Sequence, residues 1–224
     1  TKFKQNEYWS VSGDFENKEG NINAKLITIG NQKVATGASF DKKTGQLFNK
    51  DDIVLNQKLI DGFSEQLKKD EWLVTKLEKK PVTQKPYAPF ITSTLQQEGI
   101  RQFRMSAQNV MRTAQTLYEN GYITYMRTDS VHLSKEAISA SRQEIKKLYG
   151  NEFLPESPIQ YSNKVKNAQE AHEAIRPAGS TFKHPDDLKN KLDPNQLKLY
   201  TLIWKRTLAS QMKNAKIQRT NLWW

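Results

Sequence analysis

Residues 106–130 read SAQNVMRTAQTLYENGYITYMRTDS. In the first half apolar residues recur at helical spacing, with Val110, Met111, Ala114 and Leu117 on one face. Ser106 stands where an N-cap accepts a backbone amide, and Gly121 stands just past the last periodic residue. The pattern therefore predicts a helix closed at both ends. The second half is rich in aromatic and β-branched residues, which favour extended chain. In a strand over 122–127, Ile123, Tyr125 and Arg127 share one side, and Tyr122, Thr124 and Met126 share the other. A helix pair, a short turn and a β-prone run resemble a winged helix-turn-helix, a layout common among DNA-binding proteins.

Outward from this stretch the chain divides into two styles. Before it, Thr92 and Ser93 stand as caps for a short helix through Gln96 and Gln97. After it, Ser134 with Ala137 opens a helix expected to stop at Gly150, and Asp193-Pro194 opens another. Leu197, Tyr200, Trp204, Leu208 and Met212 mark the buried stripe of that last helix. Residues 1 to about 80 read as β-rich, with candidate strands around Tyr8–Phe15, at Ala24–Ile29 and at Val34–Phe40. A turn is expected at Asp41–Gly45, a helix over 51–68, and extended chain at Trp72–Leu77. Lys79–Pro89 holds Pro81, Pro86 and Pro89 and reads as a linker and domain boundary. Residues 217–224 read as extended, with a possible return to the first domain. The fold class is α+β and multi-domain.

The 224 residues carry a formal net charge of +11. Such a field draws polyanions, although a surplus of solubilising lysine reads the same way in composition alone. There is no cysteine, which excludes disulfides and thiolate metal sites and fits an intracellular address. No apolar run is long enough to span a membrane, and no signal peptide opens the chain. The sequence starts without methionine and ends on Trp223 and Trp224, so a piece of a longer protein is expected.

The chemistry concentrates at Tyr125 and Arg127. Arginine stays charged and offers a planar fork of donors that fits phosphate oxygens, in the ground state and in a five-coordinate transition state. A phenol of pKa about 10 costs roughly 4 kcal/mol to deprotonate at pH 7, which a nearby cation or base must offset. The phosphotyrosine ester it forms remains reactive toward a returning hydroxyl. The ordinary alternative is a core tyrosine beside a surface ion pair. A second string, Glu170–Pro177, predicts a helix with Ala168, Ala171 and Ile175 facing a core and His172 on a more polar face. Histidine there donates to a phosphate, passes a proton, or is simply structural. Glu170 and Glu173 lack the companions of a metal site. Arg101, Arg104 and Arg112, with Gln97 and Gln108 among them, suit either a phosphate track or a solvated helix face.

Residues 121–130 and 170–177, together with 88–96, 154–157, Leu199, Tyr200, Ile203 and Trp204, closely resemble type IA DNA topoisomerases of the bacterial topoisomerase I kind. The likeness is strong over 85–212 and weaker on either side. It implies that Tyr125 is the nucleophile, cutting one strand and keeping a 5′-phosphotyrosine link while the 3′-hydroxyl end is held noncovalently. Arg127 then positions the tyrosine and the scissile phosphate, and His172 bonds to a phosphate nearby. Thr124, Thr128, Asp129 and Arg176 join Arg101, Arg104 and Arg112 as candidate DNA contacts. The resemblance implies a toroid: 1–84 and 213–224 in a β-rich arch, 85–212 in an α-helical, winged-helix-like domain carrying the tyrosine. The family's Mg²⁺ site lies in a Toprim domain with no counterpart in these residues, so no metal site is expected here. The expected partners are a single-stranded segment of underwound DNA and the Toprim and groove-forming domains of the same chain. The rest of the expectation is a monomer in the bacterial cytoplasm, at the nucleoid. A topoisomerase III-like decatenase or reverse gyrase, and a noncatalytic winged-helix module, are the competing readings. A tyrosine recombinase is disfavoured because its cluster of arginines and histidines is absent.

Overall fold

The computed structural model describes residues 4–69, 72–162 and 173–223. The chain is α+β and forms two compact units, Thr1–Lys76 with Trp223–Trp224, and Leu77–Leu222.

The first unit is built from small hairpins. Strands β1 (Ser12–Asn17) and β2 (Gly20–Lys25) pair antiparallel, with Phe15 opposite Ile22. Strands β3 (Thr28–Ile29) and β4 (Gln32–Lys33) form a second hairpin around Gly30, whose φ of +56° suits a residue without a side chain. The expected strand at Val34–Phe40 is not one. Val34 makes a single parallel bridge to Ile53, and Gly37–Ser39 is a short 3-10 turn. Asp41 makes the expected turn. Its carboxylate accepts from the Thr44 and Lys43 amides and the Thr44 hydroxyl, and these bonds hold it below the usual carboxylate range. Helix α1 (Gln57–Lys69) starts later than expected, because the Asn56 side chain accepts the Leu59 amide and Ile53 is drawn into the bridge. Val34, Ala35 and Leu55 are the buried apolar residues of this unit among those described.

The second unit holds the main core. Strand β5 (Lys76–Gln84) passes through Pro81 and pairs with β6 (Ala215–Trp223) in a two-stranded sheet. Part of the expected linker is therefore strand. In a two-stranded ribbon half of the amides face outward, so a residue lacking an N–H is tolerated. Helices α2 (Thr92–Phe103), α3 (Ala107–Glu119), α4 (Lys135–Tyr149) and α5 (Pro194–Ser210) surround a core that includes Phe90, Leu95, Val110, Leu117, Ile145, Tyr200 and Ile203. The predicted caps form. The Ser106 and Ser134 hydroxyls accept the Asn109 and Ala137 amides, and Asp193 accepts those of Asn195 and Gln196. Gly121 and Gly150 have positive φ just past their helices.

Three expectations change here. Helix α2 runs on to Phe103, with Ile91 rather than Thr92 or Ser93 at the cap position. Among the described residues no strand pair follows α3. The chain from Gly121 to Ser130 is irregular, with one antiparallel bridge from Ile123 to Pro177. Residues 173–177, expected as the end of a helix, are extended, and Ile175 bridges to Phe90.

The contact between α2 and α3 is close. A Cβ at Gly99 would lie 2.6 Å from Val110 Cγ2. Overpacking of this kind costs about 1–3 kcal/mol, partly offset by alanine's helix preference of ~1 kcal/mol over glycine. Gly99→Ala should therefore lower the unfolding free energy by about 1 kcal/mol in denaturant titrations. The loss should shrink in a Val110→Ala background, because the two positions share one space.

Candidate active site

The tyrosine run is held between two other segments. On one side, the Thr124 amide donates to the Arg176 carbonyl (2.9 Å) and the Ala178 amide to the Tyr122 carbonyl (2.9 Å). The Thr124 hydroxyl donates to the Ala174 carbonyl (2.7 Å) and accepts from the Arg176 amide (3.0 Å). On the other side, the Thr92 amide donates to the Thr128 carbonyl (2.9 Å), and the Thr128 amide donates to the Thr92 hydroxyl (2.9 Å). Segment 174–178 lies between Phe90 and Ile123, bridged to the first through Ile175 and to the second through Pro177.

The expected strand would have put Ile123, Tyr125 and Arg127 on one side. Ile123 is instead buried, and bends at Thr124 and at Met126–Arg127 break the alternation. From Tyr125 onward it resumes: Tyr125, Arg127 and Asp129 are exposed, while Met126, Thr128 and Ser130 are buried. Buried neighbours anchor the chain and leave the tyrosine and the arginine in solvent. Tyr125 is 42% exposed, and its ring meets the edge of Tyr118, from the last turn of α3, at 5.2 Å. Tyr200 is the opposite case. It is 1% exposed, its hydroxyl donates to the Lys183 carbonyl, and burial, helped by the charge of Glu144, pushes its phenol far up. Burial also raises Tyr161.

Arg127, Thr128 and Asp129 line an open groove of about 430 Å³ together with Ile91, Thr92, Ser93 and Gln96 from the start of α2. The first turn of a helix points amides and the positive end of its dipole outward. Arg127 on the lining adds a cation that an anion can meet, and Asp129 adds a carboxylate beside it. Ser93, Gln96 and Tyr118 were not singled out from the sequence as site residues. The caps at Thr92 and Ser93 marked the place without revealing that Arg127 lines it too.

The remaining candidates separate. Arg101 is exposed and pairs with Glu98 at 2.7 Å, a bond that, with one from Gln102, holds the Glu98 carboxyl low. Arg104 ends α2 in the left-handed region at φ 55° and is exposed. Arg112 is exposed and bonds to Asn109. Among the described residues Arg104, Arg112 and Arg127 form no ion pair. Three of the expected DNA contacts are turned inward. The Thr124 hydroxyl is occupied as above, and the buried Thr128 accepts the Ser130 amide at 3.0 Å. Arg176 is 6% exposed; Nε and Nη2 grip the two Glu173 oxygens at 2.9 Å each, and Nη1 donates to the Pro177 and Gly179 carbonyls. No donor fork is left for a phosphate. His172 lies outside the described residues. Among those described, no group of three His, Asp or Glu side chains is placed to hold a metal ion.

The model of the DNA topoisomerase family matches residues 1–223. The chain belongs to the bacterial type IA topoisomerase I family. DNA topoisomerase 1 of Synechococcus elongatus is 48% identical over 215 residues, covering 96% of this chain and 24% of that protein. DNA topoisomerase 1 of Mycolicibacterium smegmatis is 48% identical over 222 residues, again with 96% and 24% coverage. Full-length topoisomerase I of Thermotoga maritima superposes with a TM-score of 0.59 at 34% identity, covering 78% of this chain and 28% of that one. The chain thus spans about a quarter of the length of these relatives. Among the described residues no helix is long and apolar enough to cross a membrane.

The Glu173–Arg176 pair makes a prediction about stability. Burial pushes the Glu173 carboxyl up, but bonds from Arg176 and the Ser134 amide outweigh it and hold the group below its ordinary value of 4.5. A carboxyl depressed in the folded state stabilises fully above the unfolded value, and that contribution is lost as pH falls through the folded one. Wild type should therefore lose stability as the pH drops below about 4.3. Arg176→Ala should cost about 3 kcal/mol near pH 7, by leaving a half-buried carboxylate unpaired. Thermal melts at pH 7 and pH 3 should show the variant's deficit shrinking at the lower pH.

Proposed function

We propose that this chain carries the nucleophilic half of a type IA topoisomerase active site, with Tyr125 as the nucleophile and Arg127 as its electrophilic partner. The observation that supports this reading most is the exposure of Tyr125 and Arg127 on a loop whose intervening and following residues, Met126, Thr128 and Ser130, are buried. A strand of DNA laid along the groove would bring a phosphate to Arg127 and to the first turn of α2. The Tyr125 oxygen, once its proton has left, attacks phosphorus, and the bond from phosphorus to the 3′-oxygen breaks. That oxygen takes a proton and becomes a hydroxyl, while the 5′-phosphate remains esterified to Tyr125. Arg127 neutralises charge that builds on the nonbridging oxygens. Religation reverses each bond change, so the ester conserves the energy of the break and no ATP is required. A second strand passes through the gap before closure, and negative supercoils relax.

His172 would donate to a neighbouring phosphate. Arg104 and Arg112 would extend the track, with Arg101 at its margin, in contacts that tolerate any sequence; Asp129 would contact DNA through a base or sugar donor rather than a phosphate. In this reading residues 1–84 and 213–224 belong to a toroid's arch, and 85–212 to its winged-helix-like tyrosine domain. When bound, Mg²⁺ supplies charge at the scissile phosphate from the Toprim domain, not from this chain. By itself the chain binds single-stranded DNA weakly and leaves supercoils intact. The whole enzyme acts as a monomer on underwound DNA in the cytoplasm, at the nucleoid.

The test uses the intact enzyme carrying this segment, Mg²⁺ and single-stranded oligonucleotides labelled at one end. After denaturation, a 3′-end label should stay with the protein and a 5′-end label should not. Tyr125→Phe should trap neither, and Arg127→Ala should slow cleavage by about 10²–10³-fold. An adduct formed by Tyr125→Phe, or a label retained from the 5′ end, refutes the assignment.

A further inference from the structure

The loop that carries Arg127 has no β-ladder to fix it; Thr124 ties its start to segment 174–178, and Thr92 ties the part around Arg127. The Thr92 hydroxyl oxygen lies 2.8 Å from the Met126 carbonyl and 3.0 Å from the Thr128 carbonyl, and accepts the Thr128 amide at 2.9 Å. The Thr92 amide adds a fourth bond, to the Thr128 carbonyl. The residues on both sides of Arg127 are thus tied to a single residue in the first turn of α2. That residue is itself rigid. It begins a twelve-residue helix whose own start is closed by the Thr94 hydroxyl, which accepts the Ile91 amide at 3.1 Å.

We propose that Thr92 is a positioning residue, whose hydroxyl clasps the peptide groups on either side of Arg127 and so fixes where Arg127 stands on the groove at the start of α2. The proposal rests on the reading that Tyr125 and Arg127 perform the cleavage. Its chemistry is that of hydrogen-bond geometry. The single hydroxyl proton is shared by two carbonyls and a lone pair is taken by an amide, so Thr92 has little left to offer a ligand. Its effect on the reaction is carried by where Arg127 stands. An ångström of misplacement at a charge-stabilising group is enough to cost about a hundredfold in rate. Serine preserves the hydroxyl, while valine preserves the branched shape and removes every bond the oxygen makes.

The experiment compares Thr92→Val, Thr92→Ser, Tyr125→Phe and wild type in the intact enzyme. It measures single-turnover cleavage of a single-stranded oligonucleotide, equilibrium affinity for the same strand, and hydrogen exchange of the Thr128 amide. Thr92→Val should cleave about ten- to a hundredfold more slowly, with affinity changed by less than about threefold and faster exchange at Thr128. Thr92→Ser should restore rate and protection. A valine variant at the wild-type rate overturns the clasp. So does a serine variant as slow as valine, or an affinity that falls as far as the rate. A valine variant that does not fold also counts against it, since the hydroxyl would then serve the fold rather than the loop. If Tyr125→Phe still cleaves, the underlying assignment fails, whatever the threonine variants do. If it is inert while Thr92→Val is unimpaired, only the clasp fails.

Discussion

The arrangement depends on a buried ion pair three residues apart in sequence. Arg176 takes both oxygens of Glu173 in its fork, and Glu173 also accepts the amide of Ser134, the cap of α4. The remaining Arg176 donors close onto the Pro177 and Gly179 carbonyls. An isolated buried guanidinium would be prohibitively costly, so the pair and its bonds come as a set or not at all. The set fixes the extended course of 173–179. That segment in turn is the backbone partner of Phe90 before α2 and of Ile123 before Tyr125. The loop carrying the tyrosine therefore takes its place from a buried arginine.

Presentation of a reactive tyrosine and burial of an inert one are achieved a short distance apart in the same core. Tyr200 fills the interior, and its hydroxyl is spent on a carbonyl. Tyr125 is held out by the residues around it, since Met126 and Ile123 are buried and their side chains commit the backbone. The ring of Tyr118 meets the exposed ring edge to face at an interplanar angle of 69°, a contact that limits its freedom while the residue as a whole stays exposed. An irregular backbone serves this purpose better than a strand. A paired strand would alternate faces rigidly and carry Ile123 to the same side as Tyr125.

The helices were legible because their signals are local. Ser106, Ser134 and Asp193 cap them, Gly121 and Gly150 follow two of them, and the apolar stripe of α5 lies where its spacing put it. What sequence spacing hid was pairing at long range. The extended run at 173–177 looked helical because Ile175 fitted a helical stripe with Ala168 and Ala171. The burial of Ile175 comes instead from the bridge to Phe90, far away in the chain. The inward role of Arg176 was hidden for the same reason. An arginine in a basic chain reads as a surface cation until its partners are known. Val34–Phe40 had the composition of a strand, but isolated bridges at its two ends, Val34 to Ile53 and Phe40 to Leu47, are too little to make it one. Pro81 misled in the other direction, since a two-stranded ribbon tolerates what a central strand does not.

The charge of the chain gains meaning from this geometry. A net +11 spread over a surface speeds the approach of any polyanion but places none of it. Placement needs cations whose positions are fixed, and few of the arginines meet that condition. Arg101 is partly neutralised by Glu98, and Arg176 is internal. Arg206 stacks over Phe90 at 4.2 Å and over Tyr87 at 4.9 Å, a structural use of its charge. Arg127 is different. It is exposed and unpaired among the described residues, yet its backbone is tied on both sides to the start of α2. Fixed backbone, free guanidinium and a helix start on one groove place a cation, beside Asp129, at a position that survives the loss of any surface lysine. That separates guidance of the strand, which is diffuse and screened by salt, from registration of one phosphate, which is short-range and is not.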